Sequence, residues 1–402
     1  MIKTIRVFAI LILALSIFSC TPKPELRALI VTGQNNHNWR GSSVALKSIL
    51  EKADIFICDV ATTPRMGRDM SSFVIDFTPY DVVVLDYTGD EWPEETKSNF
   101  ISYVENGGGV VVYHAASNAF PDWKAYNEII GLGGWGGRDE QSGPYVYVKD
   151  GEVIEDNSAG RGGSHGPQHE YVIETFQPEH PIMKGLPLKW LHTTDELYSQ
   201  LRGPAKNMEI LATSYADKEF KGTERNEPML FTVSYGAGRI FHTAMGHAGN
   251  ADLFYPTMQC AGFITTLQRG AEWAATGNVT QKVPVGLPDE NTSVSWEYFE
   301  YMDIDIVSDD IRKYEIGKNT TCFVALKEYI TKDAGKQAKM DEYNELILDI
   351  LKSGSASNEG KKMLLKDFSW MATSAYQSVY EKLSQDVDLE DEAKFALERL
   401  SY

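Results

Sequence analysis

The chain has 402 residues, a formal charge of −19 at neutral pH, and 43% hydrophobic and 11% aromatic residues. This is the composition of a folded protein, and its acidity argues against nucleic acid as a partner. The four cysteines are widely spaced and lack CxxC pairing, which excludes a disulfide framework and a thiolate zinc site.

Residues 1–20 read MIKTIRVFAILILALSIFSC: Lys3 and Arg6, an apolar run from Val7 to Phe18, then Ser19-Cys20. A small residue directly before cysteine ends a lipoprotein signal. Cys20 is therefore expected to carry lipid and to tether an exported chain to the bacterial cell envelope, facing the periplasm or the cell surface. About 380 residues follow, more than one ordinary core holds, so two domains are expected.

Buried strands are predicted at 26–33, 53–60, 80–87 and 108–115, with helical spacing at 41–52 and 94–107 between them. Strand, helix, strand at these lengths predicts a doubly wound, flavodoxin-like α/β domain with a mostly parallel sheet. Residues 131–166, rich in Gly and Ser, read as a long irregular insertion. Regular signals resume at 171–176, 180–187, 195–201 and 207–216. Residues 228–247 read as a hairpin turning at YGAG, and 253–277 as one long helix ending at glycine. A linker at 278–293 leads to a small all-α domain over 294–402, whose amphipathic helix pairs look like a HEAT-type repeat.

Ligands of such a sheet bind beyond the carboxyl ends of its strands. The predicted strand ends offer His37 with Trp39, then Asp86 with Tyr87, Asp90 and Glu91, then His114, and finally His247. The DELY run adds Asp195, Glu196 and Tyr198. Three histidines with carboxylates on one rim make a candidate site. His114, at the end of the run GGGVVVYHAAS, stands where a nucleophile elbow would place serine or cysteine. Cys58 lies inside a strand and Cys260 inside a predicted helix, which argues against a thiolate nucleophile. Imidazole at the elbow suits proton transfer or metal ligation.

The segments GQNNHNW, LDYTGDEW, GGGVVVYHAAS, HPIMKGLP, DELY and GAGRIFHTAMGH, in that order, resemble the ThuA-like family, named for trehalose utilisation. The resemblance covers residues 26–277. That family is similar in fold to the class I glutamine amidotransferases but lacks their cysteine. SHGPQHEY, WLHTTDELY and LRGPAKNM resemble an exported bacterial subgroup, although Asn226 stands where histidine is expected there. The resemblance implies carbohydrate catabolism, in routes where a sugar is first oxidised to a 3-keto derivative. A ketone at C3 acidifies the C2 proton, so base removal of that proton lets the C1 substituent leave. On this reading His114 or His37 is the base, Glu196 or Asp195 the acid, and Arg239 or a metal stabilises the enolate.

His37, His114 and His247 could hold a divalent, zinc-like metal, with His165 and His169 of the insertion folding over them. Trp39, Tyr87, Trp92, Trp135 and Tyr198 are the aromatic faces expected against a sugar, alongside His165 and His169. The dinucleotide pattern G-x-G-x-x-G is absent after the first strand. The competing reading is a non-catalytic glycan-binding lipoprotein whose helical tail docks a protein partner.

Overall fold

The computed structural model describes residues 26–249, 256–296, 304–316 and 321–400. The expected export signal and Cys20 lie outside the described residues. No helix among those described is long and apolar enough to cross a membrane.

The first half alternates as the sequence predicts. Strand β1 (Leu26–Thr32) leads to α1 (Trp39–Lys52), β2 (Phe56–Thr62), β3 (Val82–Leu85), α2 (Glu94–Glu105) and β4 (Gly109–Tyr113). The β-branched runs of β3 and β4 are buried along their whole length. Burial on both faces is what a parallel strand between helical layers requires. After α3 (Lys124–Ile130) come β5 (Tyr145–Lys149), β6 (Glu152–Asp156), β7 (His169–Thr175) and β8 (Lys189–Asp195). Then follow β9 (Met208–Tyr215), β10 (Asn226–Tyr235), β11 (Gly238–Thr243), α4 (Pro256–Gln259) and α5 (Ala261–Thr276).

The central sheet is mixed, in the order β2-β1-β3-β4-β11-β10-β9-β7-β8. It is parallel from β2 to β11 and antiparallel from there to β8. β4 and β11 run in register, Gly109 opposite Arg239 and Tyr113 opposite Thr243. Their carboxyl ends therefore open side by side, and His114 and Ala244 leave the sheet together.

Three expectations are corrected. The insertion is not wholly irregular, because β5 and β6 form an antiparallel hairpin within it. The long helix over 253–277 is broken, since Cys260 is extended (φ −62°, ψ 123°) and caps α5. Gly277 ends α5 in the left-handed conformation, as predicted. The segments 180–187 and 195–201 contain no helix or strand beyond the end of β8, a strand with no apolar alternation because polar His192 and Asp195 share its buried positions with Trp190.

Residues 278–296 are held against the domain. Thr280 and Gln281 donate to the Glu272 carboxylate, and Leu191 N–H donates to the Asp289 carbonyl. Beyond them lie α6 (Ile304–Lys313), α7 (Thr321–Lys332), α8 (Gln337–Lys352), α9 (Asn358–Asp367), α10 (Gln377–Leu383) and α11 (Glu390–Leu400). These helices pack around a core of their own that includes Val307, Ile311, Phe323, Ile350 and Leu364. Their contact with the α/β domain runs through α1, where Arg40 Nε lies 3.7 Å from Asp367 and α7 packs alongside.

Candidate active site

His114 follows β4 directly and begins a 3₁₀ turn, His114–Asn118. Its φ is +42°, the left-handed region that a non-glycine residue rarely occupies. That is the backbone of a nucleophile elbow, and it lifts the side chain off the strand end. The ring is buried, and Nδ1 lies 2.7 Å from the Ala244 carbonyl at the neighbouring strand end. A carbonyl only accepts, so Nδ1 carries the proton and Nε2 is an open lone pair. Nε2 has no hydrogen-bond partner among the described residues.

The loop after β1 brings His37 to it, with ring centroids 5.0 Å apart. Asn35 Oδ1 accepts from His37 N–H and lies 3.1 Å from His37 Nδ1, which leaves that Nε2 open as well. Asn35 is itself tied to Asp86 at the end of β3, which also accepts from Ser42 and Thr32. Burial pushes the Asp86 carboxyl up to about 7, against the pull of these three donors. His247, after β11, places its ring 4.8 Å from His37 and 5.7 Å from His114.

Glu196 is the hub. One oxygen, Oε2, lies 3.8 Å from Nε2 of both His114 and His165, and Oε1 lies 3.3 Å from His247 Nε2. The cluster combines one carboxylate with four imidazoles. Burial lowers the His114 pKa. Burial, with the charges of His114 and His247, lowers that of His37 to about 2. These rings are therefore neutral at physiological pH and present lone pairs rather than charge.

Asp195 sits beneath this cluster. Its carboxylate accepts from Gly246 N–H (2.8 Å), His247 N–H (3.1 Å) and Glu196 N–H (2.7 Å), and pairs with His192 Nε2 at 2.8 Å. Burial works against its charge, but the His192 contact and these N–H groups hold the pKa below the usual carboxylate range. With its lone pairs committed, Asp195 positions the loop that carries His247, and the expectation that it acts as the acid falls to Glu196 alone. Burial opposes a charge on His192 too, yet Cys260 and Asp195 raise its pKa to about 10. Burial raises the Cys260 pKa while His192 draws it down to about 7. At 1% exposure the Cys260 thiol is closed to any substrate.

Among the expected aromatic contacts, Tyr198 and Trp135 belong to the site. Tyr198 stacks on His114 at 4.3 Å, and Trp135 approaches Tyr198 at 4.8 Å and His165 at 5.9 Å. Tyr87 and Trp92 are core instead. Tyr87 donates to the Asp90 carbonyl, and Trp92 is enclosed by Phe73, Phe77, Phe100, Phe120 and Trp123. Trp39 lies under the Arg40 guanidinium at 4.4 Å, on the side facing the helical domain. His169 stacks flat on Phe220 at 3.8 Å.

Arg239 is corrected outright. It stands at the amino end of β11, opposite Gly109, and donates to the carbonyls of Trp273, Ala274 and Ala275. It neutralises the end of α5 at the sheet edge opposite the imidazoles. Among the described residues, the ion-pair partners of Glu196 are all histidines.

Two further residues join the site. Asn35 orients His37, and the Nε2 amide of Gln168 lies 3.1 Å from His247 Nδ1. The first was detectable, since an asparagine two residues before a loop histidine has the spacing of an Asx turn. Gln168 carried no signal, because its partner is 79 positions away.

The ThuA family model, described as trehalose utilisation, matches residues 27–274, and the chain belongs to this family. Membership points to a carbohydrate-related role. A solved ThuA-like protein from Parabacteroides merdae is 57% identical over 68% of this chain and 98% of its own, with a TM-score of 0.67. Another from Bacteroides uniformis is 20% identical over 64% of this chain and 94% of its own, with a TM-score of 0.44. No curated protein matches the chain.

Proposed function

We propose that the protein cleaves 3-keto-glycosides by proton transfer at the Glu196 cluster. The observation that carries this reading is a carboxylate ringed by imidazoles, two of which, His114 and His165, hold an open Nε2 3.8 Å from the same oxygen. His165 owes its open Nε2 to the 2.8 Å contact of Nδ1 with the Gly166 carbonyl, and of the two it is the more exposed, at 37% against 1% for His114.

An open imidazole takes the C2 proton of the keto-sugar, and the electron pair of the C–H bond forms the enolate. As that pair forms the C1–C2 double bond, the C1–O bond breaks. Glu196 relays the proton to the departing oxygen. Water then adds at C1 and a proton returns to C2, for net hydrolysis. Proton transfer of this kind contributes roughly 10²–10⁴-fold. Trp135, half-buried beside His165, supplies an apolar face on which a pyranose stacks, and Tyr198 backs His114 from within the core.

The test is product analysis by mass spectrometry on protein lacking residues 1–20, with 3-keto-glycosides and their parent glycosides as substrates. Glu196→Gln is expected to lower turnover of the keto forms at least about 100-fold. Saturable sugar binding without turnover, unchanged by that substitution, leaves a binding protein and ends the hydrolase reading.

The chain is also proposed to be exported and lipid-anchored through Cys20, on the strength of the Ser19-Cys20 junction after the apolar run. Cys20→Ser is expected to move the protein from the membrane fraction to the soluble one. Fractionation and immunoblotting check this, and an unchanged membrane fraction removes the anchor.

A further inference from the structure

We propose that His37, His114 and Glu196 form a site for a first-row divalent cation, with zinc the best fit. One ligand atom from each lies within 4.8 Å of the others. The proposal rests on the keto-glycoside reading for the use of the cation, not for its binding.

The argument begins with ring tautomers. His114 and His37 each commit Nδ1–H to an oxygen, the Ala244 carbonyl and Asn35 Oδ1, so both direct an open Nε2 lone pair inward. His247 is the reverse case. Gln168 Nε2, an amide nitrogen that only donates, faces its Nδ1, so the ring proton sits on Nε2, 3.3 Å from Glu196 Oε1. Two lone pairs and a carboxylate thus converge, and the Nε2 of His114 is buried with no donor to meet it. Facing lone pairs beside a carboxylate repel unless positive charge lies between them, and no lysine or arginine pairs with Glu196 among the described residues.

Two imidazoles and one carboxylate form a common donor set for catalytic zinc, which keeps a further position open. A tetrahedral site needs ligand atoms about 3.4 Å apart. His114 Nε2 and Glu196 Oε2 are already 3.8 Å apart, and all three ligand atoms lie within 4.8 Å, so side-chain closure of about 1.4 Å or less brings the set together. The supporting contacts are also in place. The Ala244 carbonyl orients His114, the Asp86–Asn35 pair orients His37, and His247 Nε2 lies 3.3 Å from the other oxygen of Glu196. His247, expected from the sequence as a ligand, becomes a supporting residue and Glu196 takes its place. With Glu196 held by the cation, His165, outside the set, is left free to take a proton. A cation there supplies the positive charge for the enolate oxygen that Arg239 is too distant to give.

The test uses the chain without residues 1–20, stripped with chelator and titrated with cobalt(II) and then zinc, followed by calorimetry and visible absorption. The expected result is one cobalt per chain with d–d bands and no thiolate charge transfer, displaced by zinc. His37→Ala and Glu196→Gln are each expected to weaken binding by about 100-fold or more, and His247→Ala by about tenfold. His165→Ala should leave it unchanged. His114→Asn, which tolerates the positive φ, should weaken binding as His37→Ala does. Glu196→Gln keeps the side-chain size and carries the test if a histidine variant fails to fold. No saturable binding, or binding indifferent to Glu196→Gln, overturns the proposal. An equal loss in His165→Ala overturns the ligand assignment. Because the titration contains no sugar, the two readings separate: cation binding by a protein that fails to turn over keto-sugars sinks only the hydrolase, and keto-sugar turnover by a protein with no saturable cation binding sinks only the metal site.

Discussion

Single histidines in this chain do different work according to what their ring nitrogens meet. His114 and His242 are both buried and both hold a backbone carbonyl through Nδ1, the latter Ile130 at 3.0 Å. Only His114 stands past the strand end and faces other titratable groups, whereas His242 lies within β11 and packs on Phe231 at 4.2 Å. Burial drives the His242 pKa down to about 3. An unfolded histidine has a pKa near 6.5, so below that value the unfolded chain takes up a proton that the folded chain refuses. The wild type should lose stability on acidification between about pH 6.5 and about pH 3, by at most about 1.4 kcal/mol per pH unit from this residue. His242→Asn keeps a donor for Ile130 and does not titrate. Its stability deficit relative to wild type should therefore shrink as pH falls from about 7 to about 5. Urea denaturation at both pH values checks this, and a constant deficit contradicts it.

Elements meet the sheet through residues chosen for their small size. A Cβ on Gly270 of α5 would lie 2.2 Å from the Phe241 ring, and one on Gly109 of β4 would lie 2.6 Å from the Ala274 backbone. α5 therefore crosses β4 and β11 at close range, which fixes the strand ends that carry His114 and His247. Gly270→Ala sets a helix-propensity gain of about 1 kcal/mol against an overpacking cost of about 3 kcal/mol. Phe241 is fully buried and has nowhere to move, so the cost wins. The expected outcome is a loss of about 2 kcal/mol in a denaturant melt. These seams were not readable beforehand, because a glycine in a helical pattern looks the same whether it faces solvent or a ring. The β-branched runs of β3 and β4 were readable, since burial on both faces leaves an unbroken apolar signature.

At the scale of the whole molecule, two separate cores make two domains, in contact through α1 and the loop after β2. Arg40 pairs with Asp367 of α9, and Arg65 Nη2 reaches the Met363 sulfur at 3.9 Å. Partly exposed ion pairs contribute about 0–1 kcal/mol each. A chain ending at Trp296 should therefore fold and keep the stability of its α/β domain to within about 1–2 kcal/mol. Circular dichroism and urea melts of the shortened chain check this. The segment to Trp296 must be retained, because Ala261 N–H donates to the Val294 carbonyl and Trp296 N–H to that of Gln259.

Hydrophobic periodicity and turn residues are local properties of the chain, and they were enough to reveal the α/β alternation, the parallel run of strands and the helical tail. Parallel topology then placed His37, His114 and His247 on one rim, because strand ends in register must open together. Which side chains work there is a matter of long-range packing. Glu196 and Asp195 are adjacent in sequence, yet one faces four imidazoles while the other spends its oxygens on backbone N–H groups. Tyr87 and Trp92 read as a sugar platform in the sequence but lie in the aromatic core, and Arg239, expected at the enolate, stands at the amino end of its strand. Ring tautomers lay further still from the sequence, since each depends on an acceptor or donor that the fold alone brings within reach.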